Sequence, residues 1–204
     1  VSTLDGDIET SVQPVVDGRR ARGAASRQAI VEAACRVVVA RGLTAATHRA
    51  VASEAGVSLA RTTYHFPTVE ALLQNVLRHL TDQFDERLVT LLAAVRSRNS
   101  SIVHACADFL AELLGPRRFE LLATVELRVV AAREPDLLSV GSPWSAGVIP
   151  IIRAFGADED QARATFAAFY GFAVLGAMQP EPPTADEIRR FVRKTLLPDR
   201  SPGD

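Results

Sequence analysis

Apolar positions recur at helical spacing from Ile30 onward. Ile30, Ala33, Ala34, Val37 and Val38 fall at i, i+3, i+4, i+7 and i+8, one stripe of an amphipathic helix. Ser26 stands where its N-cap belongs, and Gly42 where it stops. Thr47 caps a short second helix with Val51, Ala52 and Ala55 turned inward and Gly56 as its end. Ser58 caps a third, which runs to about Tyr64 before Pro67 closes it. Thr68 caps a long fourth helix, with Glu70 suited to the N-terminal dipole and an apolar stripe from Leu72 through Val76, Leu80, Phe84 and Leu88 to Val95.

The second half repeats the pattern with longer connections. A helix is expected over 101–114 on Ile102, Ala105, Cys106, Phe109 and Leu113. Another is expected over 117–134, apolar nearly all round and therefore buried. Gly141, Pro143, Gly147 and Pro150 mark a loop with a short helix to Phe155. A long helix over 158–178 is rich in Ala, Gly and Phe, the segment Pro180–Pro183 is a rigid connector, and a last helix covers 184–197. No segment alternates with period two for long, aromatics are 6%, and β-branched runs are short, so the expected fold is all-α. Residues 1–25 have no such period and read as a flexible arm, basic at Arg19-Arg20-Ala21-Arg22.

Composition narrows the class. The 204 residues are 48% hydrophobic and 23% charged, an ordinary globular balance. No apolar run reaches about 18 residues free of charge or proline, so no membrane span is expected. The first residues lack an apolar core, so no secretory signal is expected, and Cys35 and Cys106 are expected as reduced packing thiols in a cytoplasmic protein. The net charge of -1 hides an asymmetry. Residues 19–66 hold Arg19, Arg20, Arg22, Arg27, Arg36, Arg41, Arg49 and Arg61 against Glu32 and Glu54, a net of +6. A compact basic segment on an acidic body suits a polyanion, and it equally suits a solvated arginine face. Charge alone leaves the two readings level.

The motif decides between them. Two short capped helices are joined by Ala55-Gly56-Val57-Ser58. Gly56 can take a positive φ, Val57 can plug the space between the helices, and Ser58 caps the next helix at once. That is a helix-turn-helix, whose second helix enters the DNA major groove. With the Gly42 turn, Thr47, Arg49, Val51-Ala52, Tyr64-His65-Phe66-Pro67 and Glu70-Ala71-Leu72, residues 26–73 resemble the tetracycline-repressor (TetR) family of transcriptional regulators. The resemblance implies a three-helix DNA-binding domain over 26–71 and a helical effector-binding and dimerisation domain over 72–204. It also implies double-stranded operator DNA, a small-molecule effector and a second copy of the chain as partners. Thr47, His48 and Arg49 would touch phosphate or an adjacent base, and Ser58 would offer its hydroxyl and amide to a phosphate. Leu59, Ala60, Arg61 and Thr63 would face the groove, and Tyr64 and His65 the backbone. Arg61 can bond guanine O6 and N7 together, or take a phosphate or solvent instead. Two positions depart from the family. Val69 stands where a lysine is common, and Arg61-Thr62-Thr63 replaces the usual Thr-Leu-Tyr. The arginines before Ser26 would act as a minor-groove arm or be solvated.

In the C-terminal part, the small residues Ala164, Ala167, Ala168 and Gly171 permit close helix approach. Paired with Ile188, Phe191, Val192 and Leu196 of the last helix, they would form half of a two-fold four-helix interface or an intrachain core. Phe84, Phe109, Phe119, Trp144 and Met178 would line an effector cavity or serve as core. Glu126 shares a face with Leu122, Val125 and Val129, an acid on an apolar stripe. It would pair with a ligand, or with an arginine such as Arg128 or Arg133. His104, Asp108 and Glu112 lie at i, i+4 and i+8, a solvated edge rather than a metal face. No metal or cofactor is expected. No G-x-G-x-x-G, P-loop, H-E-x-x-H or G-x-S-x-G is present, and Pro143-Trp144-Ser145-Ala146-Gly147 only partly resembles the last, so no enzyme is expected. The effector is expected to be largely apolar, and the resemblance implies repression rather than activation. The rival reading is an architectural DNA binder without an effector.

Overall fold

A computed structural model describes residues 16–97, 101–133, 144–154 and 156–196. Among them the elements are α1 (Val16–Arg41), a 3-10 turn (Leu43–Ala45), α2 (His48–Ala55), α3 (Leu59–His65), α4 (Val69–Arg96), α5 (Ile102–Leu114), α6 (Arg118–Ala131), α7 (Trp144–Ala154), α8 (Glu159–Met178) and α9 (Ala185–Leu196). No strand occurs among the described residues.

The caps form as the sequence requires. The hydroxyls of Thr47, Ser58 and Thr68 accept the backbone N–H of Ala50, Arg61 and Ala71 at 3.2, 3.2 and 3.1 Å. Gly56 ends α2 at φ 65°, the left-handed region, with open space where a side chain would stand. Asp158 and Gln161 close a reciprocal capping box at the start of α8.

Three expectations need correction. The first helix begins at Val16, ten residues before Ser26, so the second half of the expected arm is helix. Ala21, Ala24, Ala25 and the arginines around them are good helix formers, and with α1 already nucleated by the buried stripe their propensity suffices to extend it. The helix over Arg118–Ala131 is not buried all round: Phe119 is 61% and Val129 53% exposed. The segment expected as a loop up to Pro150 is helical from Trp144, with Pro150 inside α7.

Two cores form, and two helices serve both. The first joins α1, α2 and the start of α4 through Ile30, Val37, Val38, Val51, Phe66, Leu72 and Val76, and it also takes Ala123, Leu127 and Ala131 from α6. The second gathers Phe84, Leu88, Leu110, Leu114, Leu121, Ala173, Ile188 and Val192 from α4, α5, α6, α8 and α9. The division on α4 therefore falls between Leu80 and Phe84. Thr81 sits there, buried, with its hydroxyl donating to the Leu77 carbonyl oxygen at 2.8 Å.

Candidate nucleic-acid interface and ligand cavity

The basic segment separates into engaged and unengaged arginines. Arg36 holds Glu54 at 2.8 Å and Arg41 reaches the same carboxylate at 4.0 Å. Arg27 donates to Asn75 Oδ1 at 2.7 Å and lies 4.8 Å over the Phe66 ring, and Arg78 donates to the same oxygen at 2.9 Å. Arg49 and Arg61 are exposed and form no ion pair among the described residues. Three of the eight basic positions are thus structural, which charge counting could not reveal. The Arg27–Asn75 contact spans 48 residues and left no local signal.

Ser58, Leu59, Ala60, Arg61, Thr63 and Tyr64 are all exposed, while Thr62 is buried and turns the helix toward the core. Tyr64 is 82% exposed. Phe66, at 1%, is core. The Thr63 hydroxyl donates back to the Leu59 and Ala60 carbonyl oxygens, both at 3.2 Å. His65 is half-buried, its ring 5.2 Å from Tyr64 in an edge arrangement. Thr47 and Arg49 are exposed at the start of α2. His48 differs: its Nε2 lies 2.7 Å from the Phe66 carbonyl oxygen. A carbonyl only accepts, so Nε2 carries the proton, and the ring fastens α2 to the end of α3. Only its other nitrogen could face DNA. Its own backbone amide and the Thr68 hydroxyl hold the Glu70 carboxyl below its ordinary value, so α4 opens with a negative charge beside Val69.

A cavity of about 150 Å³ lies between α4, α5, α6, α7, α8 and α9. Phe84 and Phe109 line it, in edge contact at 5.4 Å. Phe166 and Tyr170 line it from α8, stacked at 5.8 Å, with Phe169 and Cys106 beside them. Burial pushes the Cys106 thiol up to about 11. Of the other expected ligand residues, Met178 is 59% exposed and outside the lining. The Trp144 side chain lies outside the described residues. Glu126 is exposed, away from the cavity, and accepts the Leu43 backbone N–H at 3.3 Å. The face of α6 that carries it looks outward because Leu121, Ala123, Leu127 and Ala131 take the buried side. The α8 rings were legible in one respect only: a helix apolar on more than one face needs more than one burial partner.

His104 bonds the Ser101 hydroxyl at 2.7 Å, and Glu112 is held by Arg117. Among the described residues no group of three His, Cys, Asp or Glu side chains could hold a metal ion. Nor is any described helix long and apolar enough to cross a membrane.

The profile of bacterial regulatory proteins of the tetR family matches residues 30–76, and that of the tetracyclin repressor-like C-terminal domain matches residues 97–198. The multidrug binding protein EbrR, solved with imidazole, is 31% identical over 87% of this chain and 98% of its own, with a TM-score of 0.68. A TetR-family member from Streptomyces coelicolor is also 31% identical, over 83% of this chain and 97% of its own, with a TM-score of 0.71. The chain belongs to the TetR family. A comparison with curated proteins finds no match. As a TetR-family member it is a DNA-binding transcriptional regulator and not an enzyme, with α2 and α3 as its helix-turn-helix. TetR-family proteins bind operator DNA as dimers and respond to small molecules.

Proposed function

We propose that this chain is a cytoplasmic repressor that holds a palindromic operator as a homodimer and is released by a small, largely apolar effector. Arg61, with Leu59, Ala60 and Thr63 around it, reads base edges, while Thr47, Arg49, Ser58, Tyr64 and His65 hold phosphates. The second copy docks on α8, where Ala164, Ala168, Leu175 and Met178 form an exposed stripe, and on the neighbouring α9. Two recognition helices then sit about 34–36 Å apart, one per half-site. EbrR, complexed with ethidium at 31% identity and with malachite green, is the relative whose ligands favour an effector function over a purely architectural one.

The observation that carries the reading is the sharing of α4 and α6 between the two cores. A molecule that moves Phe84 or Leu121 moves helices that also pack against Ile30, Val37 and Phe66. Such a molecule releases DNA only by its affinity difference between the two states. The test is fluorescence anisotropy of the promoter fragment flanking the coding region, titrated with protein and then with a compound panel. Affinity for that fragment no higher than for random DNA overturns the reading.

A further inference from the structure

The cavity wall carries no formal charge. Its polar side-chain atoms are the hydroxyls of Thr165 and Tyr170 and the thiol of Cys106, and the rest is aromatic or aliphatic carbon. Three carboxylates adjacent in sequence to wall residues have basic partners. Glu112, beside Leu113, holds Arg117, and Glu120, beside Leu121, holds Arg117 and Arg87. Asp85, beside Phe84, interacts with Arg128. The half-buried Arg128 guanidinium interacts with Tyr170 and donates to Thr81 Oγ1 at 3.2 Å.

Granting that this cavity is the effector site, we propose that it selects uncharged, one-ring hydrophobes with at most one hydrogen-bonding group, and rejects organic cations. A cation entering it gives up its water and finds no carboxylate in return. The faces of Phe84, Phe109 and Tyr170 offer it only the weak attraction of their rings, too little to replace lost hydration. Size points the same way, because about 150 Å³ of apolar space is enough to hold a single ring such as benzene. The wall presents almost no polar surface, so any second hydrogen-bonding group on the ring would be stranded.

The full chain is titrated by calorimetry and thermal melting with p-cresol and ethylbenzene, and separately with ethidium and proflavin. The expected result is that the two neutral rings bind and raise the melting temperature, while the two cations do neither. Ala173→Phe fills the buried centre of the cavity, and Thr165→Phe fills it from a half-buried position that tolerates bulk if the first variant fails to fold. Both are expected to lose p-cresol binding. Ethidium binding that these variants abolish keeps the cavity as the effector site and overturns the proposed ligand class. p-Cresol binding that survives both overturns the cavity reading itself. No binding of either neutral ring overturns the proposal.

Discussion

Glu126 Oε2, on α6, accepts the backbone N–H of Leu43, 3.3 Å away and 83 positions back in the sequence. Leu43 opens the 3-10 turn that leads into α2, so a helix of the cavity domain touches the frame of the helix-turn-helix directly. Glu126→Ala should cost about 0.5–1.5 kcal/mol of stability, since the bond is exposed and uncharged on the donor side. It should leave effector affinity in the cavity unchanged and weaken operator release. Calorimetry for the ligand and anisotropy for release check this, and a release curve identical to the parent's would remove the contact from the coupling.

Arg61→Ala is expected to cost about 1–3 kcal/mol of operator affinity and to relax preference at one base pair. Arg36→Ala, whose side chain holds Glu54, is expected to change neither. Binding to a panel of single-base operator variants separates the two. Equal losses in both variants would mean that overall charge, and not base contact, carries the affinity.

If Tyr64 bonds a phosphate as proposed, Tyr64→Ala should weaken operator and random DNA alike. The measurement is affinity for both DNAs at several salt concentrations.

Gly56→Ala puts a methyl group at φ 65° in open space, so its cost is backbone strain alone, about 1–2 kcal/mol. Urea unfolding reads it directly. A neutral result would mean that the turn relaxes to negative φ.

Both thiols are pushed up, Cys35 to about 12 and Cys106 to about 11, chiefly by burial, from an ordinary 9.0. Folded protein therefore binds these protons more tightly than unfolded protein. The associated stability is complete below about pH 9 and is lost as pH rises toward 11 and 12. Melting temperature should fall over that window, and it should fall less in a Cys35→Ala Cys106→Ala variant. Iodoacetamide at pH 8 should label folded protein far more slowly than protein in urea.

Leu175, 63% exposed, and Met178 end the open stripe of α8. Light scattering at micromolar concentration should give a dimer for the parent chain and a monomer for Leu175→Glu, with operator affinity lost in step. A dimeric Leu175→Glu variant would move the interface elsewhere.

Sequence alone determined the helical class, the three caps at Thr47, Ser58 and Thr68, the left-handed Gly56 and the family, because each depends on residues within a few positions of one another. Tertiary structure decided what each side chain is for. Arg27 became a strut by meeting Asn75, His48 a fastener by meeting the Phe66 carbonyl, and Glu126 a link to Leu43 instead of a pocket acid. Phe166, Phe169 and Tyr170 became cavity wall because α8 packs on α5, α6 and α7, while Met178 on the same helix stayed outside. Periodicity says that a helix has an apolar face, but only packing says which neighbour covers it.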